Sequence, residues 1–191
     1  MTYAYTDSNR EMIRYAFFIE HDEQLAKRIG QRIRRVDKVR VADLEPRYMN
    51  LVSVFQYLIG NTDFSPVKGP EGEECCHNHT LFGSEGEHLY SVPYDFDQSG
   101  LVDAPHAAPN PRFRLRSVRD RLYRGRCANN ALLPATLERY REEREEIIAL
   151  FTTQEDLSKR TRNRAQSFID NFYKTINDPK LVEKLLVRKC I

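Results

Sequence analysis

The 191-residue sequence predicts a single, mainly α-helical domain of the α+β class with a few short strands. Three observations lead to this prediction. The length suits one domain with one core, apolar residues recur at helical spacing over long segments, and strand-like apolar runs are few and short. Hydrophobic residues make up 40% of the chain, which excludes a disordered tail.

The amino-terminal residues 1–60 contain one predicted strand and two predicted helices. Tyr15 to Ile19 form a continuous apolar and aromatic run, which predicts a buried strand that ends at Glu20. Apolar residues at helical spacing predict one helix from 22 to about 33 and another from about 44 to 59. Because apolar residues cover most of the circumference of the second helix, we expect it to be buried and to end at Gly60.

The middle of the chain is predicted to be mostly loop. Residues 61–80 are rich in proline, glycine and acidic residues, and a short strand is predicted only at 89–94. Residues 101–133 form an irregular segment that is rich in arginine. Long loops in compact domains usually carry function, so we expect a functional site within residues 61–100.

The carboxyl-terminal residues 134–191 are predicted to be helical. Apolar positions predict one helix that begins after Pro134 and runs to about Phe151. Thr152 and Glu155 form a capping box that predicts the start of the next helix. Asp178 followed by proline predicts the start of a last, short helix, because aspartate is a good N-cap and proline suits the first turn.

Composition and charge narrow the classes of function. Thirty basic residues stand against 28 acidic ones, and the net charge of +2 argues against nucleic acid as a partner. No apolar run approaches the roughly 18 residues of a membrane span, and no basic segment precedes an apolar one at the amino terminus. We therefore expect a cytoplasmic protein without a membrane partner. Its four cysteines, at 75, 76, 127 and 190, are then expected to be reduced thiols.

Four polar side chains between residues 60 and 100 could carry chemistry. Asp63 follows the buried helix, Asn78 lies in the polar loop, and Asp95 and Asp97 follow the predicted strand. Phosphoryl transfer to a hydroxyl needs one carboxylate to orient or deprotonate the nucleophile, and oxygen ligands to hold Mg²⁺ against the nucleotide phosphates. The same residues also suit a capped turn, a local backbone hydrogen bond and a surface turn, and the spacing alone does not decide between these interpretations.

Longer runs of sequence carry a family resemblance. They read YAFFIE, LIGNTD, CCHN and VPYDFDQSG. Together these runs resemble uncharacterised bacterial proteins that look like distant relatives of the CotH-type (spore-coat protein H) atypical kinases. The resemblance covers nearly the whole chain, most strongly residues 13–126, and implies the carboxyl-terminal lobe of a protein-kinase-like fold.

The resemblance implies a role for each candidate residue. The run from Tyr15 to Glu20 would lead to the nucleotide hinge, with Glu20 beside ATP, and Asp63 would be the catalytic aspartate. The implied cofactors are ATP and Mg²⁺, and the implied metal-binding residues are Asn78, Asp95 and Asp97. The substrate would be a hydroxyl-bearing protein or small molecule.

The chain departs from the kinase pattern in two ways. Asn78 lies fifteen residues after Asp63, whereas protein kinases place this asparagine about five residues after the aspartate. Nothing before residue 13 could supply a glycine-rich phosphate loop or a strand lysine. We therefore expect the amino-terminal lobe to be missing, so that the chain is either a fragment or receives this lobe from another chain, and is inactive by itself. A missing lobe or a second copy is the expected protein partner.

A non-catalytic interaction module is the main alternative. Such a module would bind a partner through the face left open by the missing lobe, with apolar surface around Tyr15, Phe17 and Phe18. Zinc is a weaker hypothesis, because adjacent cysteines rarely hold one ion and the usual ligand spacings are absent. Its candidate ligands would be Cys75, Cys76, His77, His79 and His88. A metallohydrolase is the last hypothesis, with Asp63, His77, His79, Asp95 and Asp97 as ligands.

The segment from Pro111 to Arg126 contains seven arginines and one acidic residue. Such a segment could bind an acidic or phosphorylated partner, because arginine holds carboxylates and phosphates with two parallel hydrogen bonds. The interpretation that we favour is structural: several of these arginines pair with an acidic helix, whose acidic residues are Glu138, Glu142, Glu143, Glu145 and Glu146.

Overall fold

The computed structural model describes residues 2–5, 10–13, 18–84 and 86–191, with side chains described from residue 18 onward. Over these residues the element order is β1 (Thr2–Tyr5), β2 (Arg10–Ile13), α1 (Asp22–Arg28), α2 (Pro46–Ile59), β3 (His79–Phe82), β4 (Tyr90–Pro93), α3 (Leu133–Glu142), α4 (Arg144–Thr152), α5 (Lys159–Ile176) and α6 (Pro179–Leu185). β1 pairs with β2, and β3 pairs with β4, in two separate antiparallel sheets. The predicted helix-rich α+β class is confirmed.

Helix α2 begins and ends for reasons that are visible in the sequence. The Glu45 side chain accepts a hydrogen bond from the amide of Tyr48, and Pro46 occupies the first turn. Gly60 ends the helix with φ of 65°, in the left-handed region that favours glycine. A Cβ atom at Gly60 would lie 2.8 Å from the Phe168 ring, so close packing requires glycine as well. The prediction of a buried helix that stops at Gly60 is confirmed.

The main core lies among α2, α3 and α5. The side chains of Val54, Ile169 and Phe172 have no measurable exposure there. The Phe172 ring lies 6.2 Å from the Tyr57 ring and 5.8 Å from the Tyr140 ring, measured between centroids, in tilted and edge-to-face geometries. These helices therefore form the larger of the two packed regions that position the loops.

Arg121 joins the end of α2 to α5. Its guanidinium donates hydrogen bonds to the carbonyls of Tyr57 (3.0 Å), Leu58 (3.1 Å) and Phe168 (2.6 Å), and it lies 3.7 Å above the Phe168 ring. Two of these carbonyls belong to the last turn of α2, where helix carbonyls lack partners within the helix. Burial lowers the pKa of Arg121 to about 10. This one side chain thus caps α2 and fixes where the following loop starts.

The carboxyl-terminal helices differ from the prediction in two places. The single helix predicted up to Phe151 is two helices, α3 and α4, because the backbone leaves helical geometry at Glu143. The predicted capping box at Thr152 is wrong, since Thr152 still belongs to α4 and Ser158 caps α5 by accepting from the Thr161 amide. Asp178 caps α6 as predicted. None of the described helices combines the length and apolar character needed to cross a membrane.

A second, smaller core lies under the β3–β4 hairpin. Its buried members are Leu44, Met49, Cys76, Leu81 and Leu89. Strand β3 was not predicted, because residues 61–80 have the composition of a loop and the strand is only four residues long. Its partner β4 confirms the strand predicted at 89–94, and their register places His79 opposite Pro93. The hairpin therefore starts directly after Asn78 and ends directly before Tyr94.

The amino-terminal predictions are corrected in part. Residues 15–17 of the predicted strand lie outside the described residues, whereas Phe18 and Ile19 lie outside any strand and are 90% and 82% exposed. Their predicted burial is therefore wrong. Helix α1 ends at Arg28, because Gly30 adopts φ of 67° and Ile33 instead pairs with Phe82 of the hairpin.

The expectation of reduced cysteines is wrong. Cys127 pairs with Cys190, and Cys75 pairs with its neighbour Cys76. The first pair forms because the end of the chain returns to residue 125: the Ile191 amide donates to the Gly125 carbonyl at 2.9 Å, and the Cα atoms of the two cysteines lie 4.9 Å apart. A contact across 63 residues is not visible in cysteine spacing.

Candidate functional site

Asp63 lies in a hydrogen-bonded cluster with His77 and Asn78. The Asn78 side-chain amide donates to the Asp63 carbonyl at 2.7 Å and to the Asp63 carboxylate at 3.2 Å. The other carboxylate oxygen of Asp63 lies 3.0 Å from Nε2 of His77. The side chains of Asp63 and His77 are about one third exposed, at 36% and 37%. Solvent or a small group can therefore reach the Asp63 carboxylate, whose orientation is fixed by His77 at one oxygen and by Asn78 at the other.

The loop that carries Asp63 is held from both ends. Immediately after α2, the Asn61 side chain accepts a hydrogen bond from the Asp63 amide at 2.9 Å. Two residues beyond Asp63, the backbone of Ser65 exchanges hydrogen bonds with the backbone of His77 at 3.0 and 3.1 Å. This pairing closes the fifteen-residue separation between Asp63 and Asn78. Asp63 and Asn78 are therefore neighbours in the structure although they are far apart in the sequence.

Asp95 lies next to Asn78 at the open end of the hairpin. The Tyr94 amide donates to the Asn78 carbonyl at 3.0 Å, which joins the residue before β3 to the residue after β4. Asn78 and Asp95 both adopt left-handed backbone conformations, with φ of 54° and 55°. Asparagine and aspartate tolerate this region better than other residues with a side chain, and such conformations cluster at functional sites. The hairpin thus places the backbone of Asp95 one residue beyond a hydrogen bond to Asn78, the other predicted metal-binding residue at this end.

Asp97 belongs to a separate contact. Its carboxylate lies 2.8 Å from Nε2 of His106, and this hydrogen bond holds the pKa of Asp97 below its usual value. The Asp97 amide approaches the Asp95 carboxylate at 3.5 Å, which keeps both acids in one turn. Within the part of the chain that the structure describes, no hydrogen bond or ion pair joins Asp97 to Asp63 or Asn78.

Glu20 lies at the surface before α1. Its carboxylate accepts from Nε and Nη2 of Arg28, at 3.0 and 2.6 Å. The hydrogen bond from Arg28 lowers the pKa of Glu20. No hydrogen bond or ion pair among the described residues connects Glu20 to the Asp63 cluster, so its role beside ATP stays a prediction.

The histidines and cysteines of the metal hypotheses point in different directions. His77 faces Asp63, but His79 is 2% exposed and lies against Ser91, with Nδ1 2.9 Å from the hydroxyl. Burial lowers the pKa of His79 to about 4, so the ring is a neutral part of the interior at pH 7. The sulfurs of Cys75 and Cys76 are bonded to each other. Over the described residues, no group of three or more His, Cys, Asp or Glu side chains is arranged to hold a metal ion.

The arginine-rich segment does not pair with the acidic helix as expected. Arg121 and Arg124 instead donate to backbone carbonyls, and Arg119 donates to the Gly100 carbonyl and to Asp103. Three of the acidic residues that were expected as partners instead bind nearby arginines of α3 and α4. These pairs are Glu138 with Arg141, Glu143 with Arg139, and Glu145 with Arg144.

Arg124 is the contributor to the site that the sequence did not single out. Its guanidinium donates to the carbonyls of Thr62 (3.1 Å) and Phe64 (2.6 Å), on either side of Asp63. It lies 4.5 Å above the Phe64 ring, and its buried Nε has no hydrogen-bond partner. Burial, with smaller contributions from Arg126 and Arg112, lowers the pKa of Arg124 to about 10. In the sequence, the high arginine content of the segment is the only signal that indicates this role of Arg124.

Comparison with protein-family models, with curated proteins and with solved structures finds no match to this chain.

Proposed function

We propose that the chain is the carboxyl-terminal lobe of an atypical, kinase-like phosphotransferase, similar to the CotH-type kinases. It transfers phosphate from ATP, with Mg²⁺, to a hydroxyl group of a protein or small molecule. The observation that carries this proposal is the pair of hydrogen bonds from the Asn78 amide to Asp63. They join the proposed base to the proposed metal-binding residue in spite of the long insertion between them.

The donor set beside Asp63 supports magnesium. Mg²⁺ prefers oxygen ligands and is usually bound by one or two carboxylates together with nucleotide phosphates and water. The Asn78 amide nitrogen is used on Asp63, which leaves its side-chain oxygen for a cation, and Asp95 adds a carboxylate from the adjacent turn. These two residues would hold Mg²⁺, with Asp97 beside them as an orienting acid. When bound, the ion supplies charge neutralisation for the phosphates.

Asp63 has the surroundings that a general base needs. Its carboxylate is held by His77 and Asn78 and is still one third exposed, so it can accept a hydrogen bond from a substrate hydroxyl. The hydroxyl proton would pass to Asp63 as the oxygen attacks the terminal phosphorus of ATP, and ADP would leave. Arg124 fixes the backbone on both sides of Asp63, which keeps the carboxylate in one place during this step.

Calorimetric titration with Mg²⁺ and ATP tests the proposal. We expect saturable binding to the wild-type chain that is lost in Asp95→Asn, which removes one charge but tolerates the same left-handed backbone. Asp37→Asn is the matched control, because it removes one exposed acid from an unrelated segment. A chain without Mg²⁺-dependent ATP binding, or equal binding by both variants, contradicts the proposal.

One observation favours the alternative of a non-catalytic interaction module. Phe18 and Ile19 are adjacent, apolar and almost fully exposed, which is typical of surfaces that bind a partner. A second copy or an amino-terminal lobe would cover them in this proposal. Sedimentation analysis of the wild type and of Phe18→Ser distinguishes the two functions, because self-association that is lost in the variant favours the module.

A further inference from the structure

One exposed arginine lies on a turn that is packed against the Asp63 loop. The Asn110 side chain accepts a hydrogen bond from the Arg112 amide at 3.1 Å, and its carbonyl accepts one from the Phe113 amide at 3.0 Å. The same side chain donates to the Thr62 carbonyl at 3.3 Å. The turn that presents Arg112 is therefore attached to the residue directly before Asp63.

Aromatic packing holds the same turn a second time. The Arg124 guanidinium lies over the rings of both Phe64 and Phe113, 4.5 and 4.9 Å from their centroids. Phe64 follows Asp63 and Phe113 follows Arg112, so this stack joins the two loops. The Arg112 backbone is thus fixed beside the proposed base by contacts on both sides.

Arg112 itself has no counter-ion in the part of the chain that the structure describes. Its side chain is exposed and takes part in no ion pair, and Arg124 and Arg126 add positive charge nearby. Like charges repel, and the acid that faces Arg124, Asp63, is held by His77 and Asn78 and forms no ion pair with Arg112 among the described residues. The arrangement is therefore suited to an acidic ligand at the edge of the Asp63 site.

We propose that the hydroxyl-bearing substrate is an acidic peptide, and that Arg112 binds a carboxylate next to the residue that is phosphorylated. This inference rests on the proposed function and names its substrate class. A nucleic acid fits less well, because Arg119 and Arg121 of the same segment are turned inward onto backbone carbonyls. The segment therefore lacks the continuous cationic stripe that a phosphate backbone follows.

Binding of two labelled serine peptides tests the proposal without any need for turnover. In one peptide glutamates flank the serine, and in the other lysines do; fluorescence anisotropy measures the dissociation constant of each. We expect the glutamate peptide to bind, the lysine peptide not to bind, and added salt to weaken the complex. Arg112→Gln should weaken binding about five-fold, as for loss of one exposed ion pair, and Arg112→Lys should recover part of this loss.

Arg160→Gln is the matched control, because it removes one exposed positive charge from the first turn of α5. It should leave peptide binding unchanged. Equal weakening by the two glutamine variants, equal binding of both peptides, or no binding of the glutamate peptide overturns the inference. Peptide binding with the expected pattern, but without phosphate transfer from ATP to the peptide, supports the anion site and contradicts the proposed phosphotransfer.

Discussion

The helical region, made of α2, α3, α5 and α6, differs from the hairpin region, residues 61–97, in how it is stabilised. The helical region encloses the main core, with large side chains such as Phe172 that have no measurable exposure. The hairpin region covers a smaller core and consists mostly of loops and two four-residue strands. Because the helical region has the larger core, it supplies most of the free energy of folding, and the attached loops are free to carry polar side chains.

The largest expected effect is loss of the disulfide that closes the helical region. Replacing Cys127 and Cys190 with serine should lower the free energy of unfolding by about 4 kcal/mol, because the bond closes a loop across 63 residues. Urea unfolding measures the change. The hairpin region provides the control, since Cys75→Ala with Cys76→Ala opens no loop and should cost far less. If both pairs of substitutions lowered the free energy of unfolding equally, the two regions would not differ in how they are stabilised.

Acid should weaken the hairpin region through His79. Burial lowers the pKa of this ring to about 4, whereas the unfolded chain titrates near 6.5. The unfolded state therefore binds the proton first, so the contribution to stability is complete above pH 6.5 and is lost as the pH falls towards 4. The loss should reach about 3 kcal/mol. Urea unfolding at pH 7 and pH 4.5 should show a smaller pH dependence for His79→Asn than for the wild type, and identical dependences contradict this account.

Arg121 tests the link between the helical region and the start of the hairpin region. Arg121→Met keeps an apolar contact with Phe168 but removes the side-chain hydrogen bonds to three carbonyls, and should cost about 2 kcal/mol. Thermal unfolding followed by circular dichroism measures this loss. Arg114→Met, at an exposed position in the same segment, should change stability by less than about 0.5 kcal/mol. A similar result for both variants would mean that the carbonyls are satisfied without Arg121.

The smallest change in stability is expected at Asn78. Asn78→Gly keeps a residue that tolerates φ of 54° and removes the two hydrogen bonds to Asp63, at a cost of about 1 kcal/mol. Mg²⁺-dependent ATP binding should nevertheless be lost. Asn78→Ala should cost about 1 kcal/mol more, because alanine strains the left-handed backbone. If glycine at 78 leaves ATP binding intact, then Asn78 is a structural residue of the hairpin region alone.

Elements with strong local patterns could be predicted from the sequence, and contacts between distant residues could not. The buried helix before Gly60 and the cap at Asp178 follow from residue types within one or two turns. Strand β3 was missed because four residues carry too little periodicity. The disulfide from Cys127 to Cys190 was missed because it depends on where the last helices lead the chain.

The candidate site shows the same limit. The family resemblance implied a catalytic role for Asp63 and a metal-binding role for Asn78, and both roles stay predictions. The hydrogen bonds between the two residues could not be predicted from their spacing, because a loop folds back between them. His77 was considered only as a metal ligand, and its contact with Asp63 depends on the same fold-back. Arg124 could not be distinguished from the six other arginines of its segment, because burial selects it and local sequence does not.

The reach of Arg121 has a consequence for synthesis of the chain on a ribosome. The Leu58 carbonyl, in the last turn of α2, receives its side-chain donor only after residue 121 is made, and the carbonyl of Phe168, which Arg121 also binds, follows 47 residues later. At the usual rate of roughly 5–20 residues per second, that interval lasts about 2 to 9 seconds. Throughout it the nascent chain exposes the apolar face of α2 without α5 to cover it. This interval is when a chaperone that binds nascent chains would protect the protein most.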